Sequence, residues 1–135
     1  MPSGFKDLDD LTFGFQGSEF IVIGARPSVG KTAFALTMAA NIAVRQKIPV
    51  GFFTLEMSSM AIMQRLLSME ARLDSQRMRT GMLSPADFSR ITEACARLYE
   101  APLYVSDSPD LKLLDLRAQA RRMKSNQDVR IIFVD

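Results

Sequence analysis

The residues best suited to chemistry lie in the segment GARPSVGKT, which runs from Gly24 to Thr32. Its last eight residues match the phosphate-loop pattern GxxxxGK[ST] except at the first position, where Ala25 replaces glycine. Gly30 would let backbone amides close round a phosphate, Lys31 would reach the terminal phosphates, and Thr32 would offer its hydroxyl to Mg²⁺. The segment therefore predicts a site for a nucleoside triphosphate, with ATP and Mg²⁺ as ligands. The residues expected to line it are Ala25, Arg26, Pro27, Ser28, Val29, Gly30, Lys31, Thr32 and Ala33.

Two acidic residues follow apolar runs that read as strands. Asp135 ends the run RIIFV, where a carboxylate at the tip of a strand could hold Mg²⁺ through water, the Walker B role. Glu56 follows VGFFTL and could orient and deprotonate the water that attacks a terminal phosphate. Asp135 could instead be a solvated acid at the end of a strand. Glu56 could instead stabilise the next helix, because a negative charge near a helix N-terminus interacts favourably with the helix dipole. Spacing alone leaves these alternatives open.

The elements that must position these residues alternate along the chain. Short apolar runs rich in β-branched and aromatic residues predict strands, and apolar residues at helical spacing predict helices between them. The Ser84-Pro85-Ala86-Asp87 sequence is typical of a helix start, whereas Asp74 to Leu83 reads as irregular. The predicted strands are Phe20 to Ile23, Val50 to Leu55, Pro102 to Ser106 and Arg130 to Val134. The predicted helices run over Lys31 to Gln46, about Ser58 to Leu73, Ser84 to about Tyr99, and roughly Leu113 to Lys124.

This alternation predicts one α/β domain in which helices cover both faces of a mostly parallel sheet, giving three layers. Ligands of such sheets gather at the carboxyl ends of the strands. The loop from Gly24 to Thr32, Glu56 and Asp135 all lie at such ends. The order of strand, loop and helix around Gly30 also disfavours the simpler alternative, a glycine-containing turn before an ordinary helix.

Composition excludes some classes of protein but leaves nucleic-acid binding undecided. A formal net charge of +2 is too small to indicate nucleic-acid binding, and the absence of histidine removes the usual zinc ligand sets. No stretch approaches the ~20 continuous apolar residues of a membrane span, and the first residues lack a signal-peptide core. We therefore expect a soluble, cytoplasmic protein without a membrane partner.

The sulfur-containing residues are expected to be structural. Cys95 is the single cysteine, so no intrachain disulfide can form, and its helical register with Phe88, Ile91 and Leu98 predicts a buried thiol. Methionines adapt readily to irregular cores. We expect such packing, rather than a partner-binding groove, for Met57, Met60, Met63, Met69, Met78 and Met82.

Five phrases in this order, GARPSVGKT, FFTLEMS, RTGMLSP, VSDSP and a strand ending in Asp135, resemble the RecA-like motor domain of bacterial DnaB-type replicative DNA helicases. The resemblance covers essentially the whole chain, and alanine at position 25 is usual in that family. It implies that Lys31 and Thr32 bind phosphate and Mg²⁺, that Glu56 is the catalytic glutamate, and that Asp135 is the Walker B acid.

The resemblance also implies a fold, the neighbouring parts of the whole protein and its partners. The fold would be a three-layer RecA-like P-loop NTPase core, truncated after the Walker B strand, so that residues 1–135 form a partial helicase ATPase domain. The family's collar domain would precede this segment, and its sensor strand, DNA-binding loops and an arginine that reaches a neighbouring subunit would follow. The sensor strand would lie between the strand of Gly24 and the strand of Asp135. The implied partners are single-stranded DNA, further copies in a homo-hexamer, primase and a helicase loader.

Two alternatives remain at this point. A RecA or clock-type recombinase-like ATPase would share the phosphate loop and the glutamate, but it would lack the linked phrases ARPS and LEMS. The chain could also be a non-catalytic fragment that binds nucleotide or a partner, because hydrolysis in such rings requires the arginine of a neighbour.

Overall fold

In a computed structural model, which describes residues 1–135, the chain folds into a small parallel sheet and six α-helices. The strands are β1 (Val50–Phe53), β2 (Leu103–Ser106) and β3 (Ile131–Val134). The helices are α1 (Lys6–Thr12), α2 (Lys31–Ala40), α3 (Ser59–Ala71), α4 (Ser75–Thr80), α5 (Pro85–Glu100) and α6 (Leu113–Gln127). Helix α2 continues into a π-helical turn at Asn41–Arg45. The α/β class and the parallel sheet predicted from the sequence are confirmed.

The central strand β1 lies between β2 and β3, and both pairings are parallel. All four residues of β1 are buried, as expected for a strand covered on both faces. The register aligns Phe53 with Ser106 on one side and with Val134 on the other. Phe52 stacks on Phe133 with ring centroids 5.9 Å apart, which ties β1 to β3 on one face.

Helices pack on both faces of β1, which gives the predicted three layers. Successive residues of a strand point to opposite faces. Val50 and Phe52 join the main core with α2 and α3, while a Cβ added at Gly51 would lie 2.9 Å from Met123 Sδ of α6. Helix α6 therefore packs directly on the backbone of β1. The buried residues of the main core are Leu36, Ala39, Ala40, Ile42, Ala43, Val44, Val50, Phe52, Ile62 and Leu66.

Helix α5 begins as the sequence predicts, at a capping box in which the Ser84 side chain and the Asp87 side chain each accept the other's backbone amide. The Asp87 carboxylate also accepts from Arg77 and Arg90, each at 2.6 Å. Arg77 belongs to α4, a short helix inside the stretch predicted to be irregular. The prediction of irregular structure was wrong there, and one buried carboxylate joins α4 to α5.

The predicted strand from Phe20 to Ile23 does not form, so the sheet has three strands rather than four. Its four side chains are all exposed, Phe20 to 92%, and no backbone hydrogen bond involves these residues. A β-rich run becomes a strand only against the edge of a neighbour that can pair with it. No strand of this sheet lies beside the segment, so its composition alone does not produce a strand.

Several sulfur-containing side chains also lie elsewhere than predicted. Cys95 is exposed, because α5 buries the preceding residue, Ala94, at this turn of the helix. Met60 and Met63 are exposed as well, since α3 turns Ile62 and Leu66 toward the core instead, and Met82 is exposed in the segment between α4 and α5. The other three of the six methionines expected in the core, Met57, Met69 and Met78, are half-buried against core residues as predicted. None of the helices is long and apolar enough to cross a membrane.

Candidate active site

The carboxyl edge of the sheet brings the ends of its three strands to the same level. Because Phe53 is in register with Ser106 and Val134, the residues that follow these three are also level. They are Thr54, Asp107 and Asp135. An acid therefore flanks the end of the central strand on each side.

Asp135 is nearly buried, with 3% of its side chain exposed, and it contacts the residues that begin α2. Thr32 Oγ1 donates a hydrogen bond to Asp135 Oδ2 at 2.8 Å. Lys31 Nζ lies 3.7 Å from Asp135 Oδ1, with 43% of the lysine side chain exposed. The fold thus brings the predicted strand-end acid to the lysine and threonine of the predicted phosphate loop, although the acid lies more than a hundred positions after them.

The loop before α2 presents free backbone donors. Gly30 caps α2 with φ +107°, and Phe34 N donates to Gly30 O at 2.9 Å as the first bond of the helix. The amides of Lys31, Thr32 and Ala33 have no hydrogen-bond partner in the chain. Unpaired amides at a helix N-terminus attract anions, because they carry partial positive charge. Together with the Lys31 ammonium they suit a phosphate group.

The rest of the loop is open. Every residue from Ala25 to Val29 is exposed, and its one internal backbone hydrogen bond joins Val29 N to Arg26 O at 3.3 Å. Ser28 adopts a left-handed conformation with φ 63°. The loop therefore makes a tight turn whose position depends mainly on the Thr32 contact at its end.

Glu56 stands at the tip of a turn that is fixed on both sides. Leu55 N donates to Asp135 O at 2.7 Å, and Thr54 Oγ1 both donates to Met57 O at 3.0 Å and accepts from Met57 N at 3.1 Å. The Glu56 side chain is exposed and makes no hydrogen bond. A carboxylate held this way beside the Asp135 backbone is free to contact water or a ligand.

Sequence reasoning missed Asp107, which follows β2 and caps the beginning of α3. Ser59 N, the first amide of α3, donates to Asp107 Oδ2 at 2.8 Å. That hydrogen bond is the main reason that the pKa of Asp107 lies below its usual value. The available signal was the acid in VSDSP, which follows a strand just as Glu56 and Asp135 do.

The donor set fits a magnesium ion. Mg²⁺ prefers oxygen ligands and commonly takes only one or two from the protein, the others being water and substrate phosphate. The Thr32 hydroxyl and the Asp135 carboxylate are in contact. The positive charge of the Lys31 ammonium lies beside the same carboxylate, which shows that this position suits a cation. No cluster of three or more histidine, cysteine or acidic side chains offers a protein-only metal site.

Comparison with known proteins shows the family of this chain. A family model described as the DnaB-like helicase C terminal domain matches residues 1–135. The replicative DNA helicase DnaB of Treponema pallidum (strain Nichols) is 56% identical over 133 residues, which cover 98% of this chain and 30% of that protein. The replicative DNA helicase DnaB of Geobacillus stearothermophilus is 42% identical over 135 residues, covering 100% of this chain and 30% of its own length.

Solved structures show the same fold. One ATPase domain of known structure superimposes with a TM-score of 0.92 at 28% identity, covering 99% of this chain and 48% of that one. A DnaB-like replicative helicase, solved in a study of its interactions with primase, gives a TM-score of 0.92 at 28% identity, covering 99% of this chain and 33% of that one. This chain spans about 30% of the length of the curated relatives named above. It belongs to the family of DnaB-like helicase C-terminal domains.

Proposed function

We propose that this chain is the ATP-binding and ATP-hydrolysing part of a replicative DNA helicase. The observation that carries the proposal is the convergence of Lys31 and Thr32 on the nearly buried Asp135, beside three unpaired amides. That arrangement joins an anion site to a cation site, which is what a magnesium-bound triphosphate requires. The family match favours this function over a recombinase-like ATPase.

Nucleotide binding would use the loop from Ala25 to Ala33. Its free amides would donate to phosphate oxygens, and the Lys31 ammonium would turn from Asp135 to the terminal phosphates. The present contact of Lys31 with Asp135 is long and half exposed, so little free energy opposes this movement. Thr32 and Asp135 would hold Mg²⁺, the latter through water, and the ion would neutralise charge on the phosphate oxygens.

Hydrolysis would use Glu56 as the base. Its carboxylate would orient a water molecule in line with the terminal phosphorus and take up a proton as that water attacks. The bond from the terminal phosphorus to the bridging oxygen would break, and ADP and inorganic phosphate would leave. Lys31 would stabilise the negative charge that develops on the transferred group. The chain contains no histidine that could act as the base instead.

In the whole protein, hydrolysis would drive the unwinding of DNA by a homo-hexamer that holds single-stranded DNA. The names of the relatives as replicative DNA helicases support this role. Primase is a proposed partner because one structural neighbour was solved in a study of its interactions with primase. A helicase loader is proposed from family resemblance alone, and a replicative role would place the protein in the cytoplasm.

The test of the site is titration of ATP with Mg²⁺ against the unmodified protein, Lys31→Ala and the control Lys47→Ala. Lys47 is also exposed, but it precedes β1 at the opposite edge of the sheet. We expect Lys31→Ala to weaken binding at least about tenfold, equivalent to ~1.4 kcal/mol, and Lys47→Ala to bind normally. Equal affinity in all three proteins would rule out the site.

The test of the reaction is steady-state hydrolysis by Glu56→Gln, which preserves shape and removes the base. We expect ATP binding to survive and turnover to fall by about 100-fold or more, the usual contribution of a general base. Unchanged turnover would remove Glu56 from the mechanism. Absence of turnover in the unmodified full-length protein would favour the non-catalytic alternative.

A further inference from the structure

We propose that Asp107 is a positioning residue for Glu56, and that it fixes the catalytic turn from the side of β2. The inference rests on the proposed role of Glu56 as the base. Asp107 itself would touch neither water nor nucleotide. Its effect would pass through the backbone of the turn that carries Glu56.

Asp107 joins the end of β2 to the beginning of α3. It follows β2, whereas Ser59 begins α3 and lies 48 positions earlier, yet Ser59 N donates to Asp107 Oδ2 at 2.8 Å. Ser59 stands three residues after Glu56 in the chain. The hydrogen bond thus connects the exit of the Glu56 turn to the end of a neighbouring strand.

The turn that carries Glu56 is tied at three places. On the β3 side, Leu55 N donates to Asp135 O at 2.7 Å, and within the turn Thr54 Oγ1 bonds both polar backbone atoms of Met57. The third place is the β2 side, where Thr54 N donates to Ser106 O at 2.9 Å before Glu56 and Ser59 N donates to Asp107 Oδ2 after it. No hydrogen bond or ion pair holds the Glu56 side chain itself, so these backbone ties fix the point of the chain from which its carboxylate reaches out.

The first amide of α3 needs an acceptor of this kind. The first amides of a helix have no partner within it and carry partial positive charge. The Ser58 hydroxyl accepts from Ala61 N at 3.2 Å, which leaves the Ser59 amide to Asp107. The hydrogen bond lowers the pKa of Asp107 because it stabilises the ionised carboxylate.

Loss of the tie would let the entrance of α3 and the Glu56 turn shift. A misplacement of about 1 Å at a reacting group can reduce the rate by about 100-fold even when the altered residue lies away from the chemistry. The phosphate loop meets Asp135 on the β3 side, and no hydrogen bond or ion pair joins it to Asp107. The expected signature is therefore a reduced kcat with little change in the KM for ATP.

The experiment measures kcat and KM for ATP with the full-length protein, Asp107→Ala, Asp107→Asn and Asp74→Ala. Asp74 is a matched control because its Oδ1 accepts from Gln76 N at 2.8 Å at the start of α4, beyond the far end of α3. We expect Asp107→Ala to lower kcat by about 10- to 100-fold. Asp107→Asn retains an acceptor oxygen and should recover part of this loss, and Asp74→Ala should keep the normal kcat.

A second comparison separates this inference from the proposed function. If Glu56→Gln turns over normally, the proposed base is wrong and the positioning role falls with it. If Glu56→Gln is impaired while Asp107→Ala and Asp107→Asn match the unmodified protein, only the positioning role is wrong. In a Glu56→Gln background, Asp107→Ala should cause no further loss; a full additional loss would show that Asp107 acts by another route. Asp107→Asn carries the same test if Asp107→Ala fails to fold.

Discussion

The two halves of the candidate site are built differently. The acidic half, with Glu56, Asp107 and Asp135, follows strands of a buried sheet and is tied by backbone hydrogen bonds on both sides of β1. The half that would bind phosphate follows an exposed segment, because every residue from Gln16 to Lys31 is exposed. The backbone that carries the acidic residues is therefore fixed by the fold, whereas the loop is fixed mainly at its Thr32 end.

This difference has a thermodynamic meaning. Segments with few buried contacts open at a lower free energy than the core to which they are attached. Ligand binding can then order such a loop, and the ordering reduces the net affinity. The backbone of the acidic half needs no such ordering. Substitutions in each half should therefore show whether the two behave as differently as their packing indicates.

The largest effect should come from the core of the acidic half. Phe52 is fully buried and stacks on Phe133, so Phe52→Ala should lower the free energy of unfolding by about 3–5 kcal/mol. The matched change Phe20→Ala, in the exposed segment, should stay within about 0.5 kcal/mol. Urea denaturation measures both. Equal losses would mean that the exposed segment contributes to the core after all.

A smaller effect is expected where the core supports the Glu56 turn. Thr54→Val keeps the shape of the side chain but leaves two polar atoms of Met57 without their partner, at a cost of about 1–3 kcal/mol. Hydrogen exchange at the Met57 amide should accelerate. The control Thr92→Val, whose hydroxyl bonds only the Phe88 carbonyl on an exposed helix face, should change stability little. Unchanged exchange at Met57 would show that the hydroxyl does not hold the turn.

In the phosphate half, backbone conformation should affect binding more than folding. Gly30 has φ +107°, and no atom lies within 4 Å of an added Cβ, so Gly30→Ala meets backbone strain but no clash. We expect ATP affinity to fall by about 5- to 30-fold, which corresponds to the ~1–2 kcal/mol cost of a left-handed conformation. Unfolding should change by less than ~0.5 kcal/mol, because an exposed loop can relax. Unchanged affinity by calorimetry would contradict this.

The last prediction is one of pH dependence, and it concerns the Asp87 carboxylate that joins α4 to α5. The Ser84 amide, then Arg90 and Arg77, lower the pKa of Asp87 from 3.8 to about 2. Because the folded pKa is depressed, the stabilisation is complete above about pH 4 and is lost as pH falls toward 2. Denaturation of Asp87→Asn should show a shallower pH dependence than the unmodified protein between pH 4 and 2. Identical slopes would exclude Asp87 as the titrating group.

Local sequence patterns predicted most of the helices and the three strands that pair. The Ser84 capping box and the apolar runs before Glu56 and Asp135 carry their signals in adjacent residues. The run from Phe20 to Ile23 carries the same kind of signal, but a strand also requires a neighbouring edge, which its own composition cannot reveal. The prediction for Cys95 was wrong for a related reason, because a shift of one position on a helix exchanges a buried face for an exposed one.

The candidate site was predictable to a similar extent. A motif could nominate Lys31 and Thr32, and parallel topology could bring Asp135 to the same edge, as the structure shows. The roles of these residues and of Glu56 remain predictions. Asp107 was missed because its importance lies in one contact with Ser59, and long-range contacts of that kind depend on register.

Gly51 links the interior of the sheet to a distant helix in a way that constrains how the sequence can vary. Met123 of α6 occupies the space that a side chain at position 51 would need. A side chain at position 51 would require Met123 to turn aside or to be shorter, which shows how closely α6 approaches the central strand.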